Sequence, residues 1–396
     1  MTILEQPTPT SLHMVTTKKI SRIESIDILR GLAMLLMLVG HARMNFFLPI
    51  EVSDPMDIEK VSAALFLTRL TGHLCTFIFI FLAGASIFLL ESRQNLSKQK
   101  ISLFLIKRGL ILIAFEFSII SFGWTFTYPP QGLYMQVIWA TGLCMLSLAF
   151  IIYLPKPYIL AIGLTLILGH NFFDNLTPYN SDLTTVLWSI LHERKFIPLG
   201  ENFYIFTAYP VLPWIGVICL GYCFASAINN IPPLQRSRFL LVTGMAVLLA
   251  FCLARALNRY GDEIYQLGPD TALNVMAFLN VTKYPPSLHY ILLTAGCTLL
   301  LLYLSELCAP LKISKPLKNI GSAPMFFYIS HLYLLKASVF LLDKIEAATG
   351  NAILPFSSMA SIWIIALILA FILYFPTLWF SNFKKRNKSW PWLQYF

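Results

Sequence analysis

Residues 26–41, IDILRGLAMLLMLVGH, form an apolar stretch interrupted by three ionisable side chains, Asp27, Arg30 and His41. The length and composition are typical of a membrane-spanning helix, in which ionisable groups are costly and therefore candidates for function. Arg30 and His41 are eleven residues apart, which is close to three helical turns, so both lie on one helix face. At 1.5 Å per residue they are separated by roughly 16 Å, about half the hydrocarbon thickness.

Asp27 and Arg30 are three residues apart and can form an ion pair. A buried ion pair beside a packing histidine is therefore the structural alternative to a functional site. The alignment of a fixed cation with His41, a group that can transfer protons, favours the functional interpretation.

The composition indicates a polytopic membrane protein. The chain is 57% hydrophobic and only 12% charged, about half the charged fraction of a soluble protein. The net charge of +10 does not indicate nucleic-acid binding, because the basic residues lie in short loops rather than in one patch. The seven cysteines have no CxxC spacing and the seven histidines are not tightly paired along the sequence, so we predict neither a disulfide framework nor a metal site. No Walker A motif, Rossmann glycine fingerprint or HExxH motif is present.

We predict an all-α bundle of about ten transmembrane helices. The apolar segments are approximately 25–48, 71–91, 103–122, 134–154, 157–171, 204–228, 238–257, 287–307, 320–342 and 358–381. With both termini in the cytoplasm, 18 lysines and arginines fall on the inside and 7 on the outside. Cytoplasmic loops of membrane proteins carry an excess of lysine and arginine, so this distribution predicts an N-in, C-in topology.

The domain organisation is correspondingly simple. We predict a cytoplasmic tail at 1–20, a transmembrane domain at 21–383 and a basic, aromatic tail at 384–396. Two outer loops, 172–203 and 258–286, are long. Within the first of them, 183–192 (LTTVLWSILH) is too short to span a bilayer and is expected to lie at the interface or to dip into a cavity.

Further polar groups cluster on the outer side of this predicted topology. His73, at the outer start of the second segment, should lie at a depth similar to that of His41, as a proton relay or a general base with a partner requires. His170 and Asp174 are four residues apart, so the carboxylate could orient the imidazole or bind an acceptor, although a helix-end polar cluster is an even alternative.

Three more residues and two buried groups complete the candidates. Lys283, Tyr284 and Ser287 precede the eighth segment and could bind anionic or hydroxylated ligand groups. His331, in the ninth segment, and Glu116, in the third, lie near mid-membrane, where each needs a polar partner or a wet cavity.

Several motifs carry a resemblance to known families. Residues 30–41 resemble the Arg-x10-His signature of the membrane acyltransferase-3 family, preceded by the same acidic residue, Asp27. The remaining motifs resemble bacterial proteins similar to the catalytic domain of heparan-α-glucosaminide N-acetyltransferase. These motifs are TGHLC (71–75), FLAG (81–84), GHNFFD (169–174), YPVLPWIG (209–216), KYPPS (283–287) and PMFFYISH (324–331).

The resemblance implies a transmembrane acyltransferase that takes an acyl group, by default acetyl, from cytoplasmic acyl-CoA and places it on an acceptor across the membrane. The implied acceptor is a hydroxyl or amine on a carbohydrate or another polar molecule. The implied location is the cytoplasmic (inner) membrane of a bacterium, and a homodimer is one option for the oligomeric state.

The resemblance also suggests roles for individual residues, which are expectations at this stage. The catalytic candidates are His41 as general base or acyl carrier, with Arg30, His73 and Asp27. The candidates for binding acyl-CoA are Arg30, His331, Lys283, Tyr284 and Ser287. The candidates for binding the acceptor are His170, Asn171 and Asp174.

Two other functions remain open. A proton-coupled secondary transporter or flippase could use His41, His73, His331 and Glu116 as its titratable groups. A structural or assembly protein is a third interpretation, but an inert scaffold has little reason to keep costly ionisable groups on one face of a buried helix.

Overall fold

The computed structural model describes residues 23–47, 56–176, 182–200, 203–351, 354–387, 389–390 and 392–393. The predicted tail at 1–20 lies outside the described residues. The described chain is mostly helical. Its α-helices are α1 (Glu24–Phe46), α2 (Ala63–Gln94), α3 (Lys98–Phe115), α4 (Ser121–Thr125), α5 (Val137–Ile151), α6 (Lys156–Gly169), α7 (Asp182–Leu191), α8 (Leu212–Ile228), α9 (Pro233–Leu257), α10 (Thr271–Leu279), α11 (Leu288–Cys308), α12 (Lys315–Gly321), α13 (Pro324–Thr349) and α14 (Met359–Arg386).

Six described helices are long and apolar enough to cross a membrane: α1, α2, α9, α11, α13 and α14. This confirms the helical membrane bundle that the composition predicts. The other predicted spans correspond to shorter or interrupted helices. α5 and α8 are apolar but have only 15 and 17 residues, and α3 continues through a π-helical turn, Glu116–Ile120, into α4.

The described residues also form a small three-stranded sheet, which the prediction of an all-α bundle did not include. Strands β1 (Gly132–Tyr134), β2 (Phe196–Pro198) and β3 (Tyr204–Phe206) pair in the order β1-β3-β2, with β1 parallel and β2 antiparallel to β3. β3 occupies the start of the predicted sixth span, 204–228.

The helix in that span begins only at Leu212, because Pro210 delays it. Pro210 has no N–H to donate and disfavours helical geometry in the preceding residue, whereas Pro213 is tolerated in the first turn of α8. The segment 183–192, which is too short to span a bilayer, largely coincides with α7.

The half of α1 that carries Arg30 packs backbone to backbone against α12. A Cβ added to Gly31 would lie 2.1 Å from the Leu317 carbonyl oxygen, and one added to Gly321 would lie 1.8 Å from the Asp27 carbonyl oxygen. Small residues at helix interfaces in membranes permit such contacts. The two glycines therefore fix α12 beside Asp27 and Arg30.

Close contacts between glycine and backbone also join α2 to α8. A Cβ on Gly84 would lie 2.1 Å from the Ile218 carbonyl oxygen, and one on Gly221 would lie 2.0 Å from the Phe81 carbonyl oxygen. α1 also packs against α2, so the helices that carry Arg30, His41 and His73 are joined to α8 and α12 in one closely packed group.

We expect Gly321→Ala to destabilise the protein by about 1–3 kcal/mol, because the added methyl group forces two backbones apart. Gly40→Ala is the matched control, because Gly40 is also a helical glycine, in α1, but no atom lies within 4 Å of its Cβ position. Alanine favours a helix by about 0.5–1 kcal/mol over glycine, so this variant should not be destabilised. Thermal unfolding in detergent measures both. Equal unfolding temperatures for the two variants would contradict the close packing.

Candidate active site

Arg30 is held by three helices. Its Nη1 lies 3.2 Å from Asp27 Oδ1 and donates to the Gly321 carbonyl at 3.3 Å, and its Nη2 donates to Ser86 Oγ at 2.9 Å. The ion pair predicted between Asp27 and Arg30 is therefore present. Contacts to α2 and α12 fix the guanidinium in position.

Arg30 lines a cavity of about 640 Å³, which we call the Arg30 cavity. Three other cationic residues, Arg93, Arg108 and Lys384, line it, together with Asp27 as the acidic member. Arginine and lysine form the strong charge-assisted hydrogen bonds that phosphate groups prefer. The cavity therefore has the charge needed to bind a polyanionic ligand.

His41 forms a hydrogen-bonded pair with His331, which lies 290 residues away along the chain. His41 Nδ1 and His331 Nε2 are 2.7 Å apart and the two rings are stacked. His331 Nδ1 lies 3.2 Å from the carbonyl oxygen of Phe327. The histidines are not tightly paired along the sequence, but in the folded chain α13 brings His331 against His41.

These contacts assign the protons of the neutral pair. The Phe327 carbonyl can only accept, so His331 Nδ1 carries a proton and His331 Nε2 is an acceptor. His41 Nδ1 must then donate to it, which leaves the lone pair of His41 on Nε2. The geometry therefore prepares His41 Nε2 to accept a proton, with His331 orienting the ring.

His41 lines a second, larger cavity of about 940 Å³, the His41 cavity. His73 lines the same cavity, as expected from the similar depth predicted for the two histidines. The His73 carbonyl accepts a hydrogen bond of 2.5 Å from Tyr290, and its imidazole Nδ1 has no hydrogen-bond partner among the described residues. Two imidazoles thus reach one space from neighbouring helices.

Lys283 and Tyr284 also line the His41 cavity, within an aromatic and cationic wall. The Tyr284 hydroxyl lies 3.2 Å from that of Tyr209, and the Lys283 ammonium lies 5.3 Å from the centroid of the Tyr284 ring. The guanidinium of Arg194 lies 4.9 Å from the same centroid. Such a wall offers donors and ring faces to a hydroxylated or anionic ligand.

The two cavities share three lining residues, Phe79, Val137 and Tyr328. Tyr328 also contacts His331, with 5.3 Å between the ring centroids. The cavities therefore adjoin next to the histidine pair.

Ser287 was expected in a ligand site, but it does not line either cavity. Its hydroxyl donates to Asp262 at 2.6 Å and accepts the backbone N–H of Tyr290 at 2.9 Å, so it caps α11. Glu116 likewise accepts the backbone N–H of Trp139 at 2.9 Å. Both polar groups are satisfied by the fold.

His170, Asn171 and Asp174 come together, but away from the residues that line the two cavities. Asn171 donates to Asp174 Oδ2 at 2.9 Å, and His192 Nε2 lies 2.9 Å from Asp174 Oδ1. Partial burial acts to raise the pKa of Asp174, but the hydrogen bonds from His192 and Asn171 outweigh it and hold that pKa below its usual value. The imidazole beside the carboxylate is His192 rather than the expected His170.

Sequence reasoning missed several residues of the His41 cavity. Arg43 and Arg69 line it with Arg194, and Glu263 adds one carboxylate. Arg43 lies two residues beyond His41 and Arg69 four residues before His73, so their position next to candidate histidines was the available signal. Tyr209, the first residue of the motif at 209–216, also lines this cavity.

A family model described as "Heparan-alpha-glucosaminide N-acetyltransferase, catalytic" matches residues 22–259, which is more than half of the chain. The chain belongs to this family. The resemblance predicted from the motifs is thereby confirmed. Arg30, His41 and His73 fall within the matched range, whereas Lys283 and His331 lie beyond it. A search of curated proteins found no match.

Membership of this family indicates an acetyltransferase enzyme. The six apolar helices described above indicate an integral membrane protein. Together they support a membrane acetyltransferase with a helical bundle as its scaffold.

Proposed function

We propose that this acetyltransferase moves an acetyl group from cytoplasmic acetyl-CoA, or another acyl-CoA, to a hydroxyl or amine on the outer side of the membrane. The observation that carries the proposal is the pair of adjoining cavities, one cationic at Arg30 and the other lined by His41. The Arg30 cavity takes the donor and the His41 cavity takes the acceptor.

The donor side follows from charge and distance. Arg30, Arg93, Arg108 and Lys384 supply cations for the CoA phosphates. α1 is continuous from Glu24 to Phe46, so its rise separates Arg30 from His41 by roughly 16 Å. The thioester arm covers that distance by passing between Phe79, Val137 and Tyr328.

The chemistry centres on His41 Nε2. The acceptor oxygen or nitrogen attacks the thioester carbonyl and gives its proton to Nε2, the carbon–sulfur bond breaks, and the proton passes from Nε2 to the CoA thiolate. The hydrogen bond to His331 sets the tautomer of neutral His41 and holds the ring in place after Nε2 is protonated. A covalent acyl-histidine, with Nε2 as the nucleophile, uses the same lone pair.

The membrane topology of this proposal has ten spans with both termini in the cytoplasm. The four spans beyond the six long helices are α3 with α4, α5, α6 and α8. The excess of lysine and arginine on the inside supports this orientation. The proposed location is the cytoplasmic membrane of a bacterium.

The acceptor is proposed to be a sugar or another polar molecule. The matched family is named for an N-acetyltransferase that acts on heparan α-glucosaminide, an amino sugar. Cationic Arg43, Arg69 and Lys283, beside the rings of Tyr209 and Tyr284, suit a hydroxylated acceptor that carries negative charge.

A proton-coupled transporter or flippase is the second candidate, because adjoining cavities next to a histidine pair also suit alternating access. It makes no use of CoA phosphates. Binding of acetyl-CoA therefore separates the two functions.

We expect acetyl-CoA to stabilise the purified protein, by about 2.7 kcal/mol at a concentration of 100 times the Kd. S-acetylpantetheine, which lacks the nucleotide phosphates, should stabilise it much less at the same concentration. Thermal unfolding in detergent measures both. No shift with acetyl-CoA, together with proton-linked solute uptake in vesicles, would favour the transporter.

A further inference from the structure

A cluster of His170, Asp174 and His192 lies outside the residues that line either cavity. His170 and Asp174 belong to the turn after α6, and His192 follows α7. One potential ligand atom of each residue lies within 4.8 Å of those of the other two. Residues 177–181, between Asp174 and α7, lie outside the described part of the chain.

The two imidazoles of this cluster have unused nitrogens. Both ring nitrogens of His170 and Nδ1 of His192 are buried without a hydrogen-bond partner among the described residues. His170 is 1% exposed and His192 is 3% exposed. A buried polar group without a partner is costly, so His170, with both ring nitrogens unpartnered, calls for a ligand. The hydrogen-bonded pair of His192 and Asp174 lies next to it and can supply the other ligand atoms.

We propose that His170, Asp174 and His192 bind a divalent transition-metal ion of the Zn²⁺ type. Two imidazole nitrogens and one carboxylate oxygen form a ligand set that zinc accepts, with a water molecule in the fourth position. Tetrahedral bonds of about 2.0–2.1 Å place ligand atoms roughly 3.3 Å apart. Small side-chain rotations therefore suffice to close the cluster around the ion.

The surroundings of the cluster suit this site. Asn171 donates to Asp174 Oδ2, an outer contact of the kind that orients metal-binding carboxylates. The Asp174 side chain is 42% exposed, which gives the ion a path from solvent and room for a water ligand. The ion would join the turn after α6 to the end of α7 and so fix the segment that leads to β2 and the His41 cavity.

The test uses the full-length protein in detergent, purified through a tag without histidines and treated with a chelator. After incubation with ZnCl₂ and desalting, we expect one zinc per chain by elemental analysis, and a rise in unfolding temperature with zinc. His170→Asn and His192→Asn should each reduce zinc affinity by more than 10-fold. His289→Asn is the matched control, since His289 is equally buried and lies 3.3 Å from a carboxylate, that of Asp262.

Binding of Co²⁺ can be measured on the wild-type protein, so this test does not depend on whether a variant folds. Co²⁺ added to the metal-free wild-type protein should give the visible absorption of a four-coordinate site, and one equivalent of Zn²⁺ should remove it. The proposal is overturned if wild type retains no zinc, or if the variant His170→Asn/His192→Asn retains as much zinc as wild type. Neither result bears on acetyl-CoA binding, so failure here is distinguishable from failure of the proposed function.

Discussion

Replacing His41 with alanine is expected to reduce acetyl transfer by about 10²–10⁴-fold, the usual contribution of a positioned general base. The physical reason is the tautomer of the histidine pair. His41 Nδ1 is occupied by the hydrogen bond to His331, so Nε2 is the nitrogen that can accept the proton of the acceptor. Without the imidazole, no other group on α1 lines the cavity at that point with a free lone pair of similar basicity.

The measurement is the release of CoA from acetyl-CoA, and of labelled product, in membranes that contain equal amounts of each protein. Acetyl-CoA should stabilise His41→Ala as much as wild type, because the cations of the Arg30 cavity are unchanged. Transfer by His41→Ala at a rate near that of wild type would exclude both the general-base and the acyl-histidine mechanisms.

His331 is a positioning residue in this mechanism, and its variants separate orientation from packing. Glutamine can still accept a hydrogen bond from His41 Nδ1, whereas leucine cannot. We expect His331→Leu to lose roughly 10-fold in transfer rate and His331→Gln to lose less, since the orienting bond is worth about 1.5 kcal/mol. The transfer rate of both variants, with their unfolding temperatures as a check on folding, measures this. Equal rates for the two variants would assign His331 a purely structural role.

The sequence predicted the components of this site better than their arrangement. Hydropathy located the helices, and helical periodicity placed Arg30 and His41 on one face, because both properties are local. The Asp27–Arg30 pair was predictable for the same reason. His73 was predicted at a depth similar to that of His41, since consecutive antiparallel helices bring the end of one next to the start of the other, and both residues line one cavity.

The contact between His41 and His331 could not be derived in this way. It depends on how α13 packs against α1, which periodicity within one helix does not determine. The strand β3 was missed because three residues are too few to show a two-residue alternation. His192 was missed as a partner of Asp174 because the two residues are 18 positions apart with α7 between them.

Variants of Asp27 and Arg30 test whether Arg30 binds a ligand or only forms an ion pair with Asp27. Arg30→Gln alone removes the guanidinium that pairs with the buried Asp27 carboxylate, so a loss of activity could reflect folding. The double variant Asp27→Asn/Arg30→Gln removes both charges, and its amides can still bond to each other and to Ser86. A purely structural ion pair predicts that the double variant recovers both stability and activity.

We expect the double variant to unfold within a few degrees of wild type but to transfer acetyl about 10–100-fold more slowly. A hydrogen bond from Arg30 to a charged phosphate of CoA is worth about 1.5–3 kcal/mol, and the glutamine amide cannot replace it. The loss should appear as a higher KM for acetyl-CoA if Arg30 binds the donor equally in the ground and transition states, and as a lower kcat if it acts only in the transition state. Wild-type kinetics in the double variant would return Arg30 to the structural interpretation and leave donor binding to Arg93, Arg108 and Lys384.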